Sequence, residues 1–312
     1  MTRPSRAKKS AASATRTANQ TKPAEGMLRI ATAEEYQHSD DADIVLLPGR
    51  AALLPATRTL VCADVHLGKA ATFRRAGLPV PEGSGQQDLK RLAGLIAAYD
   101  AHRLIIAGDL FHARAGCTPR VLGEFTDFRE QIHKQSNTEV ILVLGNHERS
   151  LGRQFSPQGL GIDQCVKELV EPPFRFIHEP ATTFGIGTNG EATSGRGTRG
   201  SRNKSQPSTF RHTEFAGPTG GASATAATTA ALFTIAGHLH PTISLRSPSG
   251  DRLAGRCFVA ISGLLVLPAF GSFTGGHRVT PGHDMQLWLG EEEAVFELTS
   301  LVAYSKNTVF SG

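Results

Sequence analysis

The sequence predicts an α/β fold in which strands and helices alternate as parallel crossover units. Three observations carry this. Short apolar runs rich in β-branched residues, bounded by glycine, read as buried strands. Apolar stripes at helical spacing separate the first three of these runs, the pattern of crossover connections. Each run also ends on a residue that can bind a metal: Val61-Cys62 leads to Asp64, Leu104-Ile105-Ile106 to Asp109, Val140 to Leu144 to Asn146, Phe176-Ile177 to His178, and Leu232, Phe233 and Ile235 to His238. In open α/β sheets the carboxyl ends of the strands converge on one crevice, where ligands bind.

Taken in order, residues 1–26 are basic, poor in acids and rich in Ala, Ser and Thr, and read as a disordered tail. Asp43 to Leu47 and Thr59 to Ala63 read as two strands around a turn at Pro48-Gly49. Gly68 to Pro81 reads as the first loop out of the crevice. Ser84 and Gln87 form a capping box for a helix whose stripe is Leu89, Leu92, Ala93 and Ile96. The strand Arg103 to Ala107 delivers Asp109. Thr118 and Pro119 open a second helix with Val121, Leu122, Phe125, Phe128 and Ile132 facing inward. A short helix is expected from Ile162, and Glu171-Pro172-Pro173 turns the chain into the strand that ends at His178. Residues 185–230 are dominated by Gly, Ser, Thr and Ala without periodicity, and read as a flexible insertion. Cys257 to Phe270 holds two strands broken at Ser262-Gly263, and Met285 to Leu289 with Ala294 to Leu298 forms a closing hairpin. The domain therefore spans 27–312.

Charge placement corrects a tempting inference. The formal net charge is +5, which points to a nucleic-acid binder. The tail alone holds Arg3, Arg6, Lys8, Lys9, Arg16 and Lys22 against Glu25, which accounts for the whole excess. Any affinity of the domain for DNA has to come from local residues and bound metal, with the tail adding a salt-dependent contribution. No run reaches the ~18 apolar residues of a membrane span, and no apolar core of a secretory signal is present. Cys62, Cys117, Cys165 and Cys257 show no close pairing, which fits a reducing cytoplasm.

The chemistry follows from the clustered residues. Asp64-Val65-His66, Gly108-Asp109, Gly145-Asn146-His147-Glu148, His178 and Gly237-His238-Leu239-His240 supply carboxylates, imidazoles and an amide but no thiolate. That donor set suits manganese, iron or zinc in a reactive site and argues against a thiolate zinc. Two divalent ions roughly 3.5–4 Å apart would clamp a phosphate, and one carboxylate must bridge them; Asp109 is the natural candidate. Each fragment alone has a plain reading as a turn, a helix cap or a satisfied core histidine. Their joint occurrence at strand ends is what points to a site. Arg74 and Arg75 are candidates for gripping substrate phosphates, and equally fit a pair of solvated arginines. Gly68-Lys69 lacks the remaining residues of a phosphate-cradling loop.

The order of these motifs resembles the calcineurin-like metallophosphoesterases over roughly residues 60 to 280. The segments His66 to Arg74, Gly108 to His112 and Leu267 to Gly276 look like the bacterial ligase-associated DNA-damage-response endonuclease branch. The resemblance implies a four-layer α/β/β/α sandwich of two mixed sheets. It implies one ion on Asp64, His66, Asp109 and His240, and the other on Asp109, Asn146, His178 and His238. It further implies His147 beside the leaving oxygen, a hydroxide between the ions as nucleophile, and single-stranded DNA as substrate in repair. An ATP-dependent DNA ligase and a helicase are the partners it implies, without a membrane. Glu148 stands where the family usually has Asp, which bears on how His147 is oriented. His112 and Glu148 are expected behind the ligands rather than among them. The ligand set alone also permits a phosphatase or small-molecule phosphodiesterase, and a non-catalytic nucleic-acid-binding module is the alternative of another class.

Overall fold

The computed structural model describes residues 28–36, 42–151, 156–181, 232–247 and 249–300. The expected tail at 1–26 and insertion at 185–230 lie outside these residues. Two mixed sheets pack face to face, with helices flanking them.

The first sheet runs β1 (Ile30–Thr32), β2 (Ile44–Leu47), β3 (Ala51–Leu54), β4 (Thr59–Cys62), β5 (Arg103–Ala107), β6 (Glu139–Val143) and β7 (Gln164–Val166), in that spatial order. From β4 to β7 the strands are parallel, so β4, β5 and β6 all point their carboxyl ends to one side. The crossovers contain α3 (Ser84–Ala98) and α4 (Pro119–Ser136), as the apolar stripes predicted.

The second sheet holds β8 (Leu169–Glu171), β9 (Phe174–Ile177), β10 (Phe233–Ala236), β11 (Pro241–Arg246), β12 (Arg252–Ile261), β13 (Leu264–Val266), β14 (His277–Arg278), β15 (Gln286–Gly290) and β16 (Val295–Glu297). Its spatial order is β14-β11-β12-β13-β10-β9-β8, with β15 and β16 branching from β12.

Strand alternation sorts the core into layers. On the first sheet, Leu60, Cys62, Leu104, Ile106, Val140 and Leu142 face the helices and meet Leu92, Ile96, Phe125 and Ile132. Their neighbours Val61, Ile105 and Ile141 face the other way and meet Phe176, Ile235, Phe258, Leu265 and Trp288 of the second sheet. Each such side chain is worth about 1.5–3 kcal/mol when fully buried. The second sheet repeats the rule: Phe258 and Trp288 point to the inter-sheet layer, while Cys257, Val259, Leu287 and Leu289 build a cluster on its far side. The four cysteines are free, with Cys62 and Cys257 buried.

Four expectations need correction. A third strand, β3, lies between the two expected near the start and pairs antiparallel with both; its Ala-Ala-Leu-Leu sequence carries little strand signal. Residues 68–81 are not all loop, because Lys69–Arg75 forms helix α2 after Gly68 in the left-handed region. Ser84 is the first helical residue of α3 rather than its cap; Gly83 precedes it and makes no side-chain cap. The helix expected from Ile162 is replaced by β7 and β8. Gly161 turns the chain there, and Asp163 is held by Arg129 of α4 at 2.6 Å and by the Val140 amide at 2.7 Å. The Thr118 cap of α4 is as expected, its hydroxyl accepting from the Val121 amide. Among the described residues no helix is long and apolar enough to cross a membrane.

Candidate metal centre

The site is assembled by loops leaving β4, β5, β6, β9 and β10. Asp64 and His66 follow β4, and Asp109 follows β5. Asn146 opens α5 (Asn146–Leu151), which begins three residues after β6. His178 immediately follows β9, and His238 and His240 lie between β10 and β11. The loops are stitched together before any ligand is added. Asp64 N–H donates to the Gly108 carbonyl at 3.0 Å, His66 N–H to the Asp109 carbonyl at 2.9 Å, and Gly237 N–H to the His178 carbonyl at 3.2 Å.

Side-chain geometry then converges. Asp64, His66 and His240 form one cluster of potential ligand atoms, and Asp109, His178 and His238 form a second. In the first, His240 Nε2 lies 3.1 Å from Asp64 Oδ1 and 3.2 Å from His66 Nε2. In the second, His178 Nε2 lies 3.3 Å from Asp109 Oδ2, 3.0 Å from Asn146 Oδ1 and 3.2 Å from His238 Nδ1. Asp109 Oδ2 faces both, since His66 Nε2 is 3.9 Å away. The seven residues expected as ligands are thus brought together.

Each carboxylate is fixed by one oxygen and presents the other. Asp64 Oδ2 accepts from the His238 amide at 2.9 Å, and Asp109 Oδ1 accepts from the His147 amide at 3.0 Å. Asp64 Oδ1 is buried and has no hydrogen-bond partner. A buried carboxylate oxygen without a donor is costly unless a cation meets it. With the imidazoles around it, this oxygen fits a divalent ion. The backbone reflects the same demand. Asp64, His66, Asp109, His238 and His240 all adopt positive φ, between 44° and 69°. Each such residue stores roughly 1–3 kcal/mol, a strain that clusters at functional sites. Gly108 is required, because a β-carbon there would fall inside the His178 ring. At Gly145 a β-carbon would strike the Asp109 carboxylate.

Protonation follows burial and charge. Burial, with His240 adding, holds the His66 imidazole down at about 2. Burial also opposes charge on His178, but hydrogen bonding to Asp109 and the charges of Asp64 and Asp109 raise it to about 9. Burial alone would raise Asp109; the hydrogen bond and charge of His178, then the amide and charge of His147, hold it at about 2.

His147 sits at the mouth, partly exposed, with Nε2 3.6 Å from Asp109 Oδ2. His112 packs beside it, its ring 4.9 Å from that of His147, and its Nδ1 lies 3.4 Å from His66 Nδ1. Burial and the nearby Lys69 hold His112 down at about 4. Glu148 is buried and does not bond to His147. Its carboxylate accepts from the amides of Asp109 at 2.9 Å, Phe111 at 2.9 Å and Gly145 at 3.1 Å, tying the loops after β5 and β6 together. Burial raises its pKa to about 7 against those three hydrogen bonds.

A cavity of about 400 Å³ opens from His66 along α2. Arg74 and Arg75 lie on its wall, with Arg74 donating to the Val80 and Pro81 carbonyls and Arg75 to the Ala115 carbonyl. Sequence reasoning took Lys69, on the same wall, only for part of an incomplete phosphate loop. Burial pulls its ammonium pKa down and Arg256 adds to this, while Asp64 and Asp109 oppose it. Sequence reasoning passed over Asp88, a buried carboxylate on α3 that accepts from the Ser272 amide and hydroxyl.

Three comparisons bear on this geometry. The pattern of the calcineurin-like phosphoesterase family matches residues 57–195, which include Asp64, His66, Asp109, Asn146, His147 and His178. The crystal structure of the nuclease MPE of Pseudomonas putida is 32% identical over 80% of this chain and 92% of that one, with a TM-score of 0.54. A protein of unknown function from Aquifex aeolicus, AQ665, is 19% identical over 40% of this chain and 61% of that one, at a TM-score of 0.25 that carries no argument. No curated protein matches the chain.

Proposed function

From the premise that this chain belongs to the calcineurin-like phosphoesterase family, whose members are metal-dependent phosphoric ester hydrolases, we propose that it is a two-metal endonuclease acting on single-stranded DNA in repair. The observation that carries the two-metal reading is Asp109 Oδ2, which faces His66 of one ligand cluster and His178 of the other. The step toward a nucleic-acid substrate is supported by the 32% identity to a nuclease; the choice of single-stranded DNA follows the sequence resemblance.

Asp64, His66, Asp109 and His240 would hold one ion, and Asp109, Asn146, His178 and His238 the other. Bound ions supply an activated water and neutralise the phosphate oxygens. The protein's own groups do the rest. Backbone amides fix Asp64 and Asp109, and Glu148 fixes the amides of the two loops. His147 carries a proton on Nε2 to the departing oxygen as the phosphorus–oxygen bond breaks. Lys69, Arg74 and Arg75 lie along the cavity wall and would meet phosphates beside the scissile one. Manganese is the expected metal, with iron or zinc the alternatives of the same donor set. The expected setting is the cytoplasm, with an ATP-dependent DNA ligase and a helicase as partners.

The test is hydrolysis of circular single-stranded DNA by metal-stripped protein resupplied with manganese, beside His147→Ala. Metal-dependent linearisation that the variant lacks supports the reading. Release of nitrophenol from a bis-aryl phosphate without DNA cleavage would move the substrate to a small phosphodiester. Preference for a mono-aryl phosphate would sink the nuclease reading.

A further inference from the structure

The loop after β13 carries an exposed aromatic that the reaction does not use. Phe273 is 38% exposed and lines the cavity that opens from His66. Exposed phenylalanine is common on mobile loops, but this loop is clamped on both sides of the ring. Asp88 accepts from the Ser272 amide at 3.0 and 2.9 Å and from its hydroxyl at 3.1 Å. Arg256 donates to the Ser272 carbonyl at 2.8 Å and to the Thr274 carbonyl at 2.5 Å. Arg91 bridges Asp88 at 2.9 Å and the Phe270 carbonyl at 2.6 Å. Both ends of the segment are bonded to the backbone of metal-ligand residues. Gly271 N–H donates to the Asp64 carbonyl at 3.1 Å, and His277 N–H to the His240 carbonyl at 3.0 Å. Phe273 is therefore held at a fixed position relative to the metal centre.

A file of rings connects it to that centre. The His147 and His112 centroids are 4.9 Å apart, His112 stacks on Phe73 at 6.3 Å and 22°, and Phe73 meets Phe273 edge-on at 5.6 Å and 80°. Lys69 lines the same cavity, whose volume falls within the ~300–1,000 Å³ of ligand pockets. The lining carries Lys69, Arg74, Arg75 and Arg120 beside Glu82, Asp88 and Glu124. A partly exposed ring on a clamped backbone, with cations within the same cavity, is the kind of arrangement with which proteins hold unstacked bases of single strands.

We propose that Phe273, backed by Phe73, is a shelf on which one base of a single-stranded nucleic acid stacks, the base belonging to a nucleotide beside the scissile phosphate. This rests on the nuclease reading above. The clamp of Asp88 and Arg256 positions the shelf; it touches no substrate.

The experiment uses the full-length manganese-loaded protein and two oligomers of equal length, one of thymidine and one whose sugars carry no base. KM and kcat are measured for wild type, Phe273→Ala and Phe273→Trp, with thermal melts to verify folding. Stacking of one base on one ring is worth on the order of 5- to 150-fold in binding. Wild type should favour the thymidine oligomer in KM by that factor. Phe273→Ala should lose the preference with kcat and the base-free KM unchanged, and Phe273→Trp should restore it. Wild type that cuts both oligomers with equal KM overturns the shelf and leaves the nuclease reading standing. So does a folded Phe273→Ala that keeps the preference. Wild type that cuts neither oligomer overturns the nuclease reading, and the shelf with it.

Discussion

The two halves of the candidate metal centre are built from similar residues, yet their surroundings push the histidines in opposite directions. In the first, burial keeps His66 neutral, and Asp64 Oδ1 waits without a hydrogen-bond donor. In the second, hydrogen bonding to Asp109 and the charges of Asp64 and Asp109 favour the charged imidazole of His178 and raise it to about 9 against burial, so a cation there would compete with a proton. Asp109 belongs to both. The difference teaches that a carboxylate facing both clusters need not make them equivalent: a cation would meet a neutral imidazole at His66 and would compete with a proton at His178.

The comparison breaks most completely at its shared member. Asp109→Ala should lose both ions and at least about 10³-fold in turnover, because several kcal/mol of charge stabilisation disappear. Metal content by mass spectrometry beside DNA cleavage checks this, and retained turnover would refute the shared-ligand assignment. His147→Ala leaves both halves intact and should cost about 10²–10⁴-fold in kcat with metal content unchanged.

A stability effect comes next. Glu148→Ala would strand the amides of Asp109, Phe111 and Gly145, at roughly 1–3 kcal/mol for each buried donor left unsatisfied. A lowered denaturation midpoint is expected, together with weaker metal retention. Unchanged stability would show that the three bonds are not what holds the two loops.

The asymmetry itself is sharpened by pH. Because the folded-state pKa of His178 is raised above its ordinary value, its contribution to metal-free stability is complete below about 6.5 and is lost as pH rises through about 9. Metal binding there runs the other way. Affinity for an ion at the His178 cluster should climb by up to about tenfold per pH unit between pH 7 and 9, while affinity at the His66 cluster changes less. Calorimetric manganese titrations at several pH values measure both, and parallel pH dependence of the two sites would erase the distinction. The smallest effect is thermodynamic linkage: manganese at a hundred times its dissociation constant should add about 2.7 kcal/mol to stability.

The residues gathered at the candidate centre were legible in the sequence because they follow apolar runs, and strand ends are where α/β sheets place their sites. The helices α3 and α4 were legible from their stripes. What escaped notice depended on partners far along the chain. Nothing in the sequence around Asp88 marks it as buried; it accepts from the amide of Ser272, 184 residues away, and pairs with Arg91. Lys69 was dismissed as half of a phosphate loop; its place on the cavity wall follows from α2, which sequence reasoning took for loop. Glu148, expected to bear on how His147 is oriented, meets other partners. Its side chain bonds three backbone amides, and nothing in the local sequence encodes amides from a loop near residue 110. The strands β3 and β7 were missed for a different reason, since alanines and a Gly-Ile-Asp turn carry little propensity of their own.

The most direct test of the shared carboxylate is anomalous diffraction from crystals of the manganese-loaded protein. Two peaks roughly 3.5–4 Å apart, with Asp109 Oδ2 between them, are expected. A single peak, or two peaks with Asp109 turned away from one, would contradict the account.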